Sequence, residues 1–172
     1  NKEIRKIGLP GKFEFPVKSH VEIAESLGLA DFDSSARVTG NGFYYLQGGL
    51  ALLNQALIRF AIDTMVKKEF TYVETPLMLR GEVIKSVTDL NDQANQIYKI
   101  ENDELYLIGT SEHSLIGRYT DTIIQEKKLP LKQASYSMCF RKEIGSHGVD
   151  EKGLFRTHQF NKVEMIVICK PE

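Results

Sequence analysis

The sequence predicts an α+β fold in which helices flank an antiparallel β-sheet. One observation is a run of apolar residues at three- and four-residue spacing along residues 50–68, which is typical of a long amphipathic helix. The other is a pair of β-rich segments, residues 131–141 and 154–168, that flank a polar segment with three glycines. A chain of 172 residues is long enough for one compact domain with a core, so we expect a single domain.

The composition is that of an ordinary globular protein, with 42% hydrophobic and 26% charged residues, which excludes a disordered or fibrous chain. A formal net charge of −1 excludes a surface that is basic throughout, so any contact with RNA must be local or come from other segments. Cys139 and Cys169 are too few for a disulfide scaffold or a paired-cysteine metal site, which indicates a reducing compartment such as the cytoplasm. No stretch approaches the roughly 20 apolar residues of a membrane span, so we expect no membrane partner.

The first elements follow from capping and turn residues. Residues 1–19 mix glycine and proline with charges, which favours an extended connector ahead of a domain at residues 20–172. Ser19 as an N-cap and Gly28 as a C-terminal stop predict a short helix between them. The aromatic residues 43–46, preceded by an Asn-Gly pair, predict a strand after a turn.

The middle of the chain alternates short strands and helices. The long helix over residues 50–68 ends in two lysines, which is favourable for the helix dipole. After it we expect a strand at Tyr72 and Val73, a helix over residues 82–87, a hairpin formed by residues 96–100 and 104–108, and a helix over residues 111–124.

The two long strands carry the chemically interesting side chains. Because successive residues of a strand alternate faces, one face of the return strand has five polar or aromatic members: Arg156, His158, Phe160, Lys162 and Glu164. The opposite face, with Met165 and Val167, is expected to join the core. In the outgoing strand, Arg141 and Glu143 share a face. Arginine can hold phosphate oxygens, and an aromatic ring can stack on a base, so this face suits a nucleotide. The alternative is that a half-exposed strand carries charged side chains only because that face contacts solvent.

The residues around these strands resemble a known motif. The stretch Cys139-Phe140-Arg141-Lys142-Glu143 is followed, after a glycine-bearing loop, by Gly153-Leu154-Phe155-Arg156-Thr157-His158-Gln159-Phe160 and then by Glu164. This pattern closely resembles motif 2 of class II aminoacyl-tRNA synthetases in its seryl-tRNA synthetase form, over about residues 131–168.

Two upstream segments extend the resemblance to residues 20–167. Thr110-Ser111-Glu112 is similar to the Thr-x-Glu motif that receives the serine ammonium group, although such a triplet is also an ordinary helix start. Residues 50–78, which end near Pro76, resemble motif 1, the homodimer interface of class II enzymes. The alternative is a plain amphipathic helix and a loop proline.

The resemblance implies a nucleotide site on the long strands. Arg141 would hold the α-phosphate of ATP and the charge that develops at the activated carboxyl, and Arg156 would hold the γ-phosphate. Phe160 would stack on adenine, and Glu143 would lie near the adenine or phosphate end. Arg141 and Arg156 are thus the implied catalytic residues.

The resemblance also implies a serine site. Thr110 and Glu112 would hold the serine ammonium, Glu164 the hydroxyl, and Arg141 the carboxylate. The implied reaction is ATP-dependent activation of serine to seryl-adenylate, followed by transfer to tRNA(Ser) and also tRNA(Sec). A homodimer is implied. Motif 3, with its arginine and the Mg²⁺ ligands, and the helical arm that binds tRNA are expected outside this sequence, so no metal ligand is expected within it.

The sequence leaves three alternative functions open. One is a synthetase paralogue that activates an amino acid for a carrier protein, which the lack of a cysteine near Thr110 disfavours. Another is a class II enzyme for threonine or proline, and a third is a non-catalytic dimerisation or regulatory module. His147, in the loop between the long strands, would contact the tRNA acceptor end or remain a solvated loop residue. His113, His20 and Cys139 are interpreted as structural.

Overall fold

A computed structural model describes residues 2–88, 96–143 and 153–171. The helices are α1 (His20–Ser26), α2 (Phe32–Thr39), α3 (Gly48–Lys67), α4 (Gly81–Val87) and α5 (Ser111–Gly117), with a 3₁₀ turn at Glu126–Lys128. The strands are β1 (Ala30–Asp31), β2 (Tyr45–Leu46), β3 (Thr71–Tyr72), β4 (Met78–Arg80), β5 (Leu105–Leu107), β6 (Leu131–Phe140) and β7 (Gln159–Ile168). The predicted combination of helices and an antiparallel pair is confirmed.

The largest sheet has the strand order β3-β6-β7. Strands β6 and β7 pair antiparallel in a register that runs from Leu131 opposite Ile168 to Phe140 opposite Gln159. Strand β3 adds to the other edge of β6 in parallel, a pairing that the sequence did not predict. The long connection that contains α4 and α5 brings the chain back to the end at which β3 begins, which permits parallel pairing.

Several elements are shorter than predicted. Helix α5 ends at Gly117 because the next residues form tight turns, in which Thr120 N–H donates to the Gly117 carbonyl and Asp121 has a φ of 53°. Strand β7 begins at Gln159 because the preceding segment packs towards α1, where the Leu154 N–H donates to His20 Nε2.

Two of the smaller predicted strands also differ. The hairpin of residues 96–100 and 104–108 reduces to one bridge between Lys99 and Tyr106, since β5 pairs mainly with β4. The strand over residues 43–46 reduces to β2, which pairs with β1. The helices expected after Ser19 and after Arg80 are confirmed as α1 and α4.

The buried residues position the start of α5. This helix packs against α4, β6 and β7, and it buries Ser111, His113, Ser114 and Leu115. Gly117 permits the close approach to α4, because a Cβ there would lie 2.5 Å from Val83 Cγ1. Thr110, the N-cap of α5, is thereby fixed against the open face of β7.

Helix α3 exposes apolar side chains to solvent. None of its residues is buried within the described chain, and its large exposed members are Leu52, Leu53, Leu57, Phe60 and Val66. Met165 and Val167, expected in the core, are 57% and 50% exposed within the described chain, so this part of the prediction is wrong. By length and composition α3 could also cross a membrane, so the expectation that no such stretch exists is wrong. Its contacts with β3, β6 and β7 place it on the main sheet instead.

Candidate active site

A three-residue polar cluster joins β7 to the start of α5. The Thr110 hydroxyl donates to Glu164 Oε2 at 2.8 Å. Lys162 Nζ donates to the same Thr110 oxygen at 3.0 Å and forms an ion pair with Glu164. Lys162 and Glu164 are two residues apart on one strand and therefore lie on one face. The fold thus brings together two of the predicted serine ligands, Thr110 and Glu164, with a lysine between them.

Glu164 is held in its charged form. Burial raises the pKa of this carboxyl, but hydrogen bonds from Lys162 and Thr110 and the charge of Lys162 outweigh that effect, so the pKa lies below its ordinary value. The side chain of Glu164 is 18% exposed, so the carboxylate can still be reached from the open side. Glu164 therefore supplies a negative charge in the cluster, next to the positive charge of Lys162.

Arg141 connects this cluster to an aromatic ring further along the sheet. Its Nε donates to the carbonyl of Gly109, the neighbour of Thr110, at 3.1 Å. Its guanidinium carbon lies 5.2 Å from the centroid of the Phe160 ring, a distance typical of a cation–π contact. A positive charge therefore lies between the Thr110–Glu164 pair and an aromatic platform.

The backbone of Arg141 is fixed by His158. The Arg141 N–H donates to the His158 carbonyl at 3.0 Å, and His158 Nδ1 donates to the Arg141 carbonyl at 2.9 Å. The His158 N–H in turn donates to the carbonyl of Gly42, where a Cβ would lie 2.6 Å from the His158 ring. Tyr98 supports the same ring, with its hydroxyl 3.1 Å from Nδ1.

A second charged pair lies near the point where β6 ends. Arg156 donates to Glu143 Oε2 at 3.2 Å, and the side chain of Arg156 is 53% exposed. Arg156 precedes β7 in a segment that is not a strand, so the predicted alternation of faces does not apply to it. An exposed arginine on a carboxylate can exchange that partner for a phosphate group.

A cavity of about 220 Å³ opens beside these residues, lined by Gln96, Ile97, Gly109, Thr110, His113, Arg141 and Glu143. His113 is 5% exposed, and its Nε2 lies 3.1 Å from the Thr88 hydroxyl. Burial lowers the pKa of His113, and the charges of Arg141 and Lys162 lower it further against a small opposing effect of Glu164. A neutral imidazole thus forms part of the wall.

Known proteins resemble this chain in sequence and in fold. Residues 94–172 match the family described as "tRNA synthetase class II core domain (G, H, P, S and T)". Over all 172 residues the chain is 50% identical to the serine–tRNA ligase of Methanoregula boonei, of which it covers 40%. Residues 94–172 thus form part of a class II tRNA synthetase core domain.

Solved class II synthetases share the fold. The seryl-tRNA synthetase of Pyrococcus horikoshii, complexed with ATP, matches 90% of the chain and 35% of its own length with a TM-score of 0.86 and 47% identity. The cytoplasmic serine–tRNA ligase of Naegleria fowleri, in complex with AMP, matches 89% of the chain and 36% of its own length with a TM-score of 0.83 and 36% identity. The chain spans about 40% of the length of the curated relatives it matches.

The class II sequence pattern predicted some site residues and missed others. Glu112 is exposed, and it meets the cluster through its backbone N–H, which donates to the Thr110 hydroxyl at 3.3 Å. Lys162 was predicted to share the face but received no role. The only signal for it was its spacing of two residues from Glu164.

Other expectations for the class II site stay open or need revision. His147 and the loop at residues 144–152 lie outside the described residues. The interpretation of His113 as structural is incomplete, because this residue also lines the cavity. Among the described residues no three His, Cys, Asp or Glu side chains gather as a metal site, and the expected absence of a metal ligand stays a prediction.

Proposed function

We propose that the full-length protein containing this chain is a serine–tRNA ligase. It activates serine with ATP to form seryl-adenylate and transfers the seryl group to tRNA(Ser). One observation carries the proposal: Arg141 lies between the Thr110–Glu164 pair and the Phe160 ring. In an aminoacyl-adenylate, the amino group of the amino acid binds an anionic group, the phosphate binds a cation, and the base stacks on an aromatic ring. The three groups follow one another in that order along this site.

The serine end is formed by Thr110 and Glu164, with Glu112 at the entrance. The amino group of serine carries a positive charge and its hydroxyl is a donor, so both suit the ionised Glu164. Alanine would leave this partly buried carboxylate without its hydroxyl partner, which disfavours alanine by the cost of an unmade charged hydrogen bond. Glu164 is therefore assigned to selectivity as well as to binding.

The nucleotide end follows β7. Phe160 and Glu164 share a strand face and are four residues apart, a separation of about 13 Å at roughly 3.3 Å per residue. This length accommodates adenine on Phe160 and the amino acid on Glu164, with the phosphate at Arg141. Arg156 reaches the outer phosphates when it leaves Glu143.

The chemistry depends on positioning and charge. A serine carboxylate oxygen attacks the α-phosphorus of ATP, the new P–O bond forms as the bond to pyrophosphate breaks, and pyrophosphate leaves. Arg141 stabilises the charge on the α-phosphate oxygens, an effect for which one such donor supplies roughly a hundredfold to a thousandfold in rate. Mg²⁺, when bound with ATP, neutralises phosphate charge, and we place its ligands outside the described residues. No side chain needs to remove a proton from the carboxylate.

We also propose a homodimer that buries the exposed side of α3. Its apolar side chains, among them Leu57 and Phe60, are 58% and 70% exposed. Strand β7, which α3 contacts, adds the half-exposed Met165 and Val167, and we assign both apolar surfaces to this interface. A stable interface needs about 800 Å² per partner, and a 20-residue apolar helix is long enough to supply it. The cytoplasm is the proposed location, in line with the free cysteines.

The test is serine-dependent exchange of pyrophosphate into ATP by the purified full-length protein. We expect exchange with serine, and at least a hundredfold less with alanine or threonine at equal concentration, the scale that a lost or misfitted buried contact produces. Exchange that prefers threonine would contradict the assignment of substrate. Absence of exchange with all three amino acids would contradict the enzyme function.

A further inference from the structure

The Thr110 hydroxyl has no free capacity for hydrogen bonding. A hydroxyl offers one donor and two acceptor positions. The Thr110 O–H donates to Glu164, and its oxygen accepts from Lys162 Nζ at 3.0 Å and from the Glu112 N–H at 3.3 Å. All three positions are therefore occupied by groups of the chain itself.

A substrate ammonium competes directly with Lys162. An ammonium group has donors only, so it can bind Thr110 only through an acceptor position of the hydroxyl oxygen. One of those positions holds a backbone N–H that α5 keeps in place, and the other holds the lysine. Lys162 also forms the ion pair with Glu164, the second group proposed to receive serine. The lysine ammonium thus makes both contacts that the serine ammonium needs.

We propose that Lys162 is a displaceable stand-in for the substrate ammonium, a role that rests on the proposed function. In the free site it keeps Glu164 ionised and holds Glu164 against Thr110. When serine enters, its ammonium takes both contacts and Lys162 swings out. The local charge is nearly unchanged by the exchange, because one ammonium replaces another beside the same carboxylate.

The surroundings of Lys162 permit this movement. Its side chain is 32% exposed, whereas Thr110 is 6% exposed and stays fixed as the N-cap of α5. Four rotatable bonds let the lysine leave without a change in the backbone of β7. In the described structure the side chain of Lys162 makes hydrogen bonds or ion pairs with Thr110 and Glu164 alone, so its departure breaks no third bond of either kind.

Displacement has a measurable cost in affinity. A ligand that binds only the uncovered pair has an apparent Kd equal to its intrinsic Kd divided by the uncovered fraction. If Lys162 covers the pair in about 90% of molecules, the apparent Kd is about tenfold weaker than the intrinsic value. Removing the lysine should therefore tighten binding of ammonium ligands, which is the opposite of what loss of an ordinary binding residue does.

The experiment compares Lys162→Met with the unchanged full-length protein by calorimetric titration. The decisive probe is serinamide, which keeps the ammonium and hydroxyl of serine and has no carboxylate for a displaced lysine to contact. We expect serinamide to bind roughly threefold to tenfold more tightly to Lys162→Met, with ATP binding unchanged. Lys132→Met is the matched control, because Lys132 is on the same sheet, is similarly exposed and pairs with Glu69. Lys132→Met should change neither the affinity for serinamide nor the affinity for ATP.

A second measurement needs no variant. The reactivity of Lys162 towards an acetylating reagent, followed by mass spectrometry, should rise when serinamide is added to the unchanged protein, while that of Lys132 stays constant. Unchanged or weaker serinamide binding in Lys162→Met, or labelling of Lys162 that falls or stays constant on adding serinamide, would overturn the stand-in role. Absence of serine-dependent exchange in the unchanged full-length protein would overturn the proposed function as well. Normal exchange in that protein, without tighter serinamide binding in Lys162→Met, would overturn only the role of Lys162.

Discussion

Replacement of Glu164 by Gln separates serine recognition from nucleotide binding. The Glu164 carboxylate accepts from the Thr110 hydroxyl at 2.8 Å, pairs with Lys162 and is 18% exposed. Gln keeps the size of the side chain but loses its charge. A hydrogen bond to a charged group contributes about 1.5–3 kcal/mol, so the serine KM should rise by roughly tenfold to a hundredfold.

We expect the rise in the serine KM to lie nearer tenfold than a hundredfold. The variant also weakens the hold of Lys162 on the site, because the lysine loses its anionic partner. Weaker competition from Lys162 therefore offsets part of the affinity for serine that the variant loses. The ATP KM should change less than twofold, since Phe160 and Arg141 do not depend on the charge of Glu164 for their contact.

The assay is pyrophosphate exchange in the full-length protein, with serine and ATP varied separately. Glu104→Gln is a matched control, because Glu104 is 87% exposed and pairs only with Lys99 in the described structure. It should leave both KM values unchanged. Equal weakening towards serine and ATP, or no effect on either, would refute the placement of the serine hydroxyl on Glu164.

Three further predictions concern other parts of the molecule. Arg141→Ala should lower exchange at least a hundredfold while the melting temperature shifts by only a few degrees, since the partly buried side chain loses its contacts with Gly109 and Phe160 but the backbone hydrogen bonds with His158 remain. Unchanged exchange would refute its role on the phosphate. Leu57→Glu should convert a dimer into monomers in sedimentation at micromolar concentration, and a persistent dimer would refute the interface on α3. The third follows from the pKa of His113, which burial lowers below the ordinary value of 6.5, with smaller contributions from Arg141 and Lys162 that Glu164 partly opposes. The unfolded chain therefore binds a proton below pH 6.5 that the folded chain does not, and stability is lost as the pH falls. His113→Gln should flatten the fall in melting temperature between pH 7.5 and 5.5, and an equally steep fall would contradict this.

The strand pair could be predicted because its signals are local. The β-rich composition of residues 131–141 and the glycines after it predict two antiparallel strands. The pairing of β6 with β7 confirms that prediction. The parallel addition of β3 could not be predicted, because it depends on where α4 and α5 return the chain. The early end of α5 at Gly117 reflects the tight turns that follow it, and residues 118–124 contain no glycine or proline to indicate those turns.

The candidate site shows the same division. Arg141, Phe160 and Glu164 were predicted from motif spacing, and two of them proved to lie beside Gly109 or Thr110. The role of Lys162 could not be predicted, because a lysine on a strand face is ordinarily solvated. Its significance comes from the saturation of the Thr110 hydroxyl, which only the three-dimensional contacts reveal.

The most direct test is a structure of the full-length protein bound to a non-hydrolysable seryl-adenylate analogue. We expect adenine stacked on Phe160, the linking group against Arg141, and the serine ammonium and hydroxyl on Thr110 and Glu164. We also expect Lys162 Nζ to lie beyond hydrogen-bond distance of Thr110. Adenine bound away from Phe160, or a seryl group that makes no contact with Glu164, would contradict the assignment of one adenylate along β7.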